Sequence, residues 1–429
     1  MGTLIRNGKV LHQGNLVVRD LLITDRKILR IAENIPVDNH KEIDVKGKFV
    51  SAGFIDMHVH LCEPGWETKE TIATGTSAAA RGGFTTIASM PNTRPVIDRP
   101  EMVWMLKEKL EKEAVVRVLL LASLTIRQLG EELTNMKVMK EQGIVALSNA
   151  GVTIRNSLTM KKAMKRAAEL GLVVMVQGED ESLAKGGVVN EGTLSQKYGV
   201  KGIPNEAEAI VVARDLLLAE ATGASYHVCQ ISTEQSVKLV RHAKQIGVKV
   251  TAEVSPHHLI LSDEDILGLD PMYKTSPPLR SPRDRDILIE ALKDGTIDMI
   301  VTDHTPHTEE EKKRGMEVAP SGIIGLETAF PLLYTHLVLK GEFTLEEIVN
   351  KMTRGPAACF GLPWGVLEEG QEADITIIDL ETEREVNPEE FASKGKNTPF
   401  KGWKLQGWPV MTIVSGSVVW KRDEVLKMV

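Results

Sequence analysis

The stretch Phe54-Ile55-Asp56-Met57-His58-Val59-His60-Leu61-Cys62-Glu63-Pro64-Gly65 decides how this chain reads. An apolar run of strand character ends in two histidines separated by one residue. On a strand, residues two apart point to one face, so both imidazoles project into whatever the strand end lines. Neutral imidazole suits zinc and similar metals. The plainer reading is a pair of hydrogen-bonded structural histidines. Far downstream, Met299-Ile300-Val301 runs into Thr302-Asp303-His304-Thr305-Pro306-His307. Asp303 offers a carboxylate that can bind metal and take a proton from metal-bound water. An N-cap or a loop salt bridge is its other role. Two such clusters, each at the downstream end of an apolar strand, predict a metal centre on His58, His60 and Asp303 at the mouth of a βα barrel.

Working outward, strand and helix patterns alternate between residues 53 and 362. Apolar strand candidates fall at 54–61, 85–90, 115–124, 143–149, 172–178, 224–231, 249–255 and 299–305. Amphipathic helical stretches separate most of them; at 206–221, Ala207, Ile210, Val211, Ala213, Leu216, Leu217 and Ala221 recur near helical spacing. Eight such units predict an α/β protein built on a (β/α)8 TIM barrel, whose chemistry sits at the C-terminal ends of its strands. The flanks read differently. Short alternating runs bounded by Gly, Asn and Asp mark β structure at both ends of the chain. Asn7-Gly8 there reads as a hairpin turn. Each flank is too small to stand alone, so we expect one composite β-sandwich domain from 1–52 plus 363–429, around a barrel domain at 53–362.

Composition narrows the function. The chain has 429 residues, is 42% hydrophobic and 26% charged, and carries a net charge of −7. This is the balance of a soluble protein with a large core, and it gives no electrostatic case for nucleic acid. No apolar run reaches the ~20 residues of a membrane span. The N-terminal residues run straight into a strand pattern without a signal-peptide core. Cys62, Cys229 and Cys359 are too few and scattered for a disulfide framework. We therefore expect a cytoplasmic protein.

Two further strand ends carry polar groups. Cys62 follows His60 by two residues and reads either as a soft third ligand or as a small buried filler. Asn92, in Met90-Pro91-Asn92-Thr93, either holds a polar substrate group or stabilises the turn.

The segment 56–65 resembles the signature of the dihydroorotases of the amidohydrolase superfamily. So do Met90-Pro91-Asn92-Thr93, Thr251-Ala252-Glu253-Val254-Ser255-Pro256-His257-His258-Leu259, Thr302-Asp303-His304 with Pro306-His307, and Gly325-Leu326-Glu327-Thr328-Ala329-Phe330-Pro331. Ser393-Lys394-Gly395-Lys396-Asn397-Thr398-Pro399-Phe400 and Trp408-Pro409-Val410 are similar to the bacterial type. The resemblance spans the chain. It implies a barrel with a β-sandwich built from both ends, and reversible cyclisation of N-carbamoyl-aspartate to dihydroorotate on a zinc centre. It also implies that Asn92 and His307 contact substrate.

Departures from the family pattern fall where the chemistry belongs. Cys62 stands where the resemblance implies a substrate-gripping Arg, and Ser276 where it implies a substrate-binding Asn. Asn149-Ala150 replaces an acidic pair, one member of which bridges two metals. Gln177 and Gln230 replace ligand histidines, and Ser321 replaces a loop Phe. A neutral amide is a poor match for zinc, and neither Cys nor Ser makes the bidentate charged grip of Arg. His58, His60 and Asp303 remain. We therefore expect zinc to be weakly held or absent, at most one metal per chain, in a catalytically degenerate homologue. Such a protein would form a homo-oligomer and serve as structural or regulatory partner of aspartate transcarbamoylase. The alternative is an active hydrolase of dihydroorotate or a related cyclic amide on a reduced one-metal site.

Overall fold

The computed structural model describes residues 2–422; Met1 and residues 423–429, the end of the expected C-terminal segment, lie outside the described residues. Five strands open the chain, β1 (Thr3–His12), β2 (Asn15–Thr24), β3 (Lys27–Ala32), β4 (Lys41–Asp44) and β5 (Phe49–Ala52). The barrel begins at β6 (Phe54–Val59) and continues through β7 (Phe84–Ser89), β8 (Arg117–Ala122), β9 (Ala146–Ser148) and β10 (Val173–Val176). A short ladder of β11 (Val189–Asn190) and β12 (Gly202–Ile203) interrupts it before β13 (Ser225–Val228), β14 (Val250–Val254) and β15 (Met299–Ile300). The eight barrel strands pair in parallel in the order β6-β7-β8-β9-β10-β13-β14-β15. A parallel bridge between Val59 and His304 joins the two ends, with the His60 N–H donating to the His304 carbonyl at 3.0 Å. Each of the eight strand candidates holds a barrel strand.

The strands are shorter than their apolar runs, most clearly at 299–305. There the buried carboxylate of Asp56 takes both the Thr302 N–H (3.0 Å) and its hydroxyl (2.5 Å), and Asp303 turns to φ 49°, so the ladder stops. Side chains alternate as a barrel requires. Val174, Tyr226, Val228, Ala252 and Ile300 join the core beneath the helices, while Met57, Ala150, Met175, Cys229, Met299 and Val301 form a separate inner cluster.

Both chain ends meet in one sheet. β1 pairs along its length with antiparallel β2, and on its other edge with β4 and then β5. β5 pairs with β16 (Ile375–Asp379), which continues to β19 (Trp408–Val414) and β20 (Ser417–Lys421). Ile5, Leu21 and Ile28 thus share a core with Ile375, Ile377 and Ile413. Strands of both ends are hydrogen-bonded into one continuous sheet around a shared core, so the two terminal segments build one unit as the sequence suggested. Asn7-Gly8 is no turn. It is a bulge inside β1, where the register slips between Ile5 and Gly8 and Asn7 takes φ 57°. The hairpin turns lie at Gln13-Gly14 and Asp25-Arg26, each with two positive φ values, as type I′ turns demand.

Gly53 joins this sheet to the barrel, and a Cβ there would lie 2.1 Å from Thr85 Cγ2. Gly53→Ala should lower stability by about 1–3 kcal/mol, the usual penalty for overpacking. An unchanged urea midpoint would contradict the close approach.

The segment between β16 and β19 leaves the sheet. It carries the pair β17 (Arg384–Glu385) and β18 (Lys404–Leu405), and its residues 393–397 cover the barrel mouth. Asn397 accepts the His307 N–H at 2.9 Å and donates to the carbonyls of Thr305 and Gly322.

Candidate metal centre

A β-bulge aims the first-strand histidines inward. Asp56 pairs with Ile87 but Val59 with Ser89, so β6 holds one residue more than β7 across this interval. Without it His58 would fall on the face opposite Ile55 and Met57, which line the barrel interior. The second oxygen of Asp56 accepts the His58 N–H at 3.0 Å and fixes the bulge. Burial, opposed by these hydrogen bonds, lifts the Asp56 carboxyl to about 6.

His58, His60 and Asp303 converge, their ligand atoms all within 4.8 Å of one another. Asp303 Oδ1 is 3.8 Å from His58 Nε2 and 3.7 Å from His60 Nε2. These are separations suited to atoms sharing one ion through bonds of about 2.0–2.2 Å. The remote nitrogens support the arrangement. His58 Nδ1 lies 2.5 Å from Glu253 Oε1, and His60 Nδ1 lies 2.9 Å from Asn92 Oδ1. Both partners are acceptors, so each Nδ1 carries a proton and each Nε2 faces Asp303. Burial raises the Asp303 carboxyl to about 7. Burial, together with the neighbouring His58, pushes His60 down to about 3.

Of the other expected positions, only Gln230 reaches this group. Asn149 faces outward; its Oδ1 accepts from the Ser123 hydroxyl and the Leu124 and Thr125 N–H groups, and its Nδ2 donates to Thr125 Oγ1. Ala150 is the residue that points into the barrel, and it brings no donor atom. The Gln177 amide donates to the Ser276 carbonyl (2.7 Å) and hydroxyl (3.1 Å), which accounts for both substituted positions at once. The Gln230 amide nitrogen lies 3.4 Å from His58 Nε2, and its oxygen is buried without a partner. Cys62 does not reach the cluster. Its thiol lies 3.7 Å from the His60 carbonyl, and burial, aided by Glu70, pushes it up to about 12.

Asn92 therefore orients His60. His307 sits at the rim, its Nε2 donating to the Ser321 carbonyl at 2.8 Å and its Nδ1 lying 3.2 Å from Lys69 Nζ. His304, next to Asp303 in sequence, turns away. Its Nε2 lies 3.2 Å from buried Glu70, whose carboxylate also accepts from Ser393 of the covering segment.

Sequence reasoning missed Asp56, Glu70, His227 and Glu253. A signal existed for one of them, because Glu253 is the lone charge in the otherwise uncharged strand Val250-Thr251-Ala252-Glu253-Val254. Its second oxygen lies 2.9 Å from His227 Nε2. Cys229 also lies near His58 and Glu253. Burial holds its thiol far above the usual range, so it stays protonated.

A cleft of about 560 Å³ opens beside His307, lined by Lys312 and the covering segment. Lys312 is buried, its ammonium donates to the Pro320 carbonyl at 3.0 Å, and burial pulls it down to about 7. The unfolded chain keeps this proton up to its ordinary value of 10.5, whereas the folded chain loses it near 7. Native stability should therefore rise with pH across this window. Lys312→Met should remove that slope in urea titrations at pH 7, 8 and 9; parallel slopes in both proteins would contradict it.

A (β/α)8 barrel that gathers two first-strand histidines and an eighth-strand aspartate at its mouth defines an amidohydrolase-type protein, a class that typically binds metals. The comparisons agree. Residues 227–420 match the amidohydrolase family, and residues 47–236 match the dihydro-orotase-like family. The chain is 54% identical to a dihydroorotase of Halalkalibacterium halodurans, covering 100% of both chains, and 53% identical to one of Bacillus cereus, covering 99% of this chain and 100% of the other. The chain belongs to the dihydroorotase family. Among solved structures it is similar to the L-hydantoinase (dihydropyrimidinase) of Arthrobacter aurescens, with a TM-score of 0.89 and 28% identity over 99% of this chain and 97% of that one. The dihydropyrimidinase of Brevibacillus agri gives a TM-score of 0.85 and 26% identity over 99% and 96%. Among the described residues no helix is long and apolar enough to cross a membrane.

The donor set fits one metal ion. His58, His60 and Asp303 supply three ligands, the number of protein ligands in a catalytic zinc site with a further position open. At the positions of a second metal, Ala150 offers no donor atom and the Gln177 amide is engaged with Ser276.

Proposed function

We propose that this chain is a dihydroorotase-family protein that holds at most one metal ion, does not turn dihydroorotate over at an enzyme's rate, and acts as structural or regulatory partner of aspartate transcarbamoylase. The observation that carries this reading is the state of the second metal's positions. Ala150 faces the barrel interior with no donor, and Gln177 is tied to Ser276. The substrate end is depleted in the same way, since Cys62 and Ser276 bring no charge to a carboxylate-bearing substrate. A scaffold that keeps its barrel, its closing bridge and its covering segment while losing this chemistry is suited to a surface or coupling role.

A metal on His58, His60 and Asp303 would polarise a carbonyl and lower the pKa of bound water. Around it, His58 and His60 would be held by Glu253 and Asn92, and Asp303 would be placed to take a proton. That convergence, together with relatives named dihydroorotase, favours a second reading, an active one-metal hydrolase of a cyclic amide. With no Arg at position 62, its substrate would be one without a carboxylate, such as a hydantoin.

Co-expression with the organism's aspartate transcarbamoylase, followed by size exclusion with light scattering, tests the first reading. A stoichiometric complex with altered transcarbamoylase activity is expected. Two independent peaks at micromolar concentration, with steady hydantoin or dihydroorotate turnover, would favour the second.

A further inference from the structure

Glu253 projects from β14 into the barrel and is fully buried. Both of its oxygens are engaged, Oε1 with His58 Nδ1 at 2.5 Å and Oε2 with His227 Nε2 at 2.9 Å. His227 Nδ1 in turn lies 2.7 Å from Thr251 Oγ1. The residues come from three strands, β6, β13 and β14, which pass through the barrel wall at different places. The chain of contacts runs Thr251, His227, Glu253, His58 and ends at His58 Nε2, the atom that faces Asp303.

A buried carboxylate without a cation is strongly disfavoured. Here it sits between two imidazoles and has no Lys or Arg partner among its contacts. By accepting at Nδ1, the carboxylate fixes a proton on that nitrogen and leaves Nε2 as the one turned toward Asp303.

We propose that Glu253 is a positioning residue, which with His227 behind it locks the His58 ring and tautomer so that Nε2 is presented as a metal donor. Carboxylates that accept the remote N–H of a ligating histidine typically change metal affinity by roughly 10–100-fold. This arrangement has that geometry, with a second histidine added to hold the carboxylate. The inference rests on the reading of His58, His60 and Asp303 as a one-metal site.

The test compares wild type with Glu253→Gln, whose amide oxygen still accepts the His58 N–H but carries no charge. Cobalt(II) is the probe, followed by its visible ligand-field bands and by competition with zinc. A 10–100-fold loss of cobalt affinity, with a thermal midpoint close to wild type, is expected. Equal affinities in the two proteins would overturn the proposal and leave the one-metal reading standing. A second readout needs no metal. In metal-free protein labelled with 15N-histidine, the short His58–Glu253 contact should give a strongly downfield proton on Nδ1 that shifts upfield in Glu253→Gln. Absence of that proton in wild type overturns the proposal whatever the metal result. If wild type takes up no cobalt while the downfield proton is present, the one-metal reading fails and the positioning of His58 stands. Should Glu253→Gln lose cooperative unfolding, His227→Gln removes the second imidazole instead, and the same loss of cobalt affinity is expected.

Discussion

Purified, zinc-supplied protein is expected to hydrolyse dihydroorotate at least about 10⁴-fold more slowly than the ~10 s⁻¹ typical of enzymes. The size follows from what the mouth lacks. Losing one preorganised group that stabilises developing charge costs about 10²–10³ in rate, and on the proposed reading two such elements are lost. One is the second metal, for which Ala150 supplies no ligand and Gln177 is turned to Ser276. The other is the charged clamp at position 62, where a half-buried thiol donates toward the His60 carbonyl. A clamp positions as well as binds, so its loss also forfeits orientation. The measurement is an initial rate at saturating substrate, with the Bacillus cereus relative as reference. Turnover within tenfold of that relative would end the degenerate reading.

The second large effect runs the other way. The triple variant Ala150→Asp, Gln177→His, Gln230→His should raise metal content from at most one to about two zinc ions per chain. The backbone supports this expectation. β9, β10 and β13 remain in parallel register at these strand ends. Ala150 already faces the interior. Position 230 has φ 49°, a region in which His is among the better tolerated side chains. Replacing Gln177 also frees the Ser276 carbonyl, which an imidazole N–H can use in turn. Dihydroorotate turnover should stay low in this triple variant until Cys62→Arg is added, because the substrate carboxylate remains ungripped. A triple variant that still binds one ion or none would mean that the strand ends have moved as well as changed their residues.

Much of this was legible from residue order alone. The eight strand positions followed from apolar runs mostly separated by amphipathic helical stretches, and helices and strands in a barrel repeat locally. His58, His60 and Asp303 were readable because a metal site needs particular residue types at strand ends. What escaped was whatever depends on pairing between distant segments. The carboxylate of Asp56 that accepts the His58 N–H at the bulge also holds Thr302, across 246 residues. Asn7-Gly8 has the composition of a turn and forms a bulge, because β1 must switch neighbours from β4 to β5. The sequence also left Asn149 and Ala150 as equal candidates for the lost bridging position. Only strand direction separates them, since Asn149 is engaged by the loop at 123–125 and Ala150 lines the interior. Glu70 and Ser393, 323 residues apart, meet over His304, a contact that no local pattern announces.

Metal stoichiometry separates a one-ion site from a two-ion site. The protein would be purified without chelator, saturated with zinc, dialysed against metal-free buffer and measured by elemental analysis, alongside His58→Ala. No more than one zinc ion per chain is expected in the wild type, and none in the variant. About two tightly held zinc ions per wild-type chain would contradict that expectation.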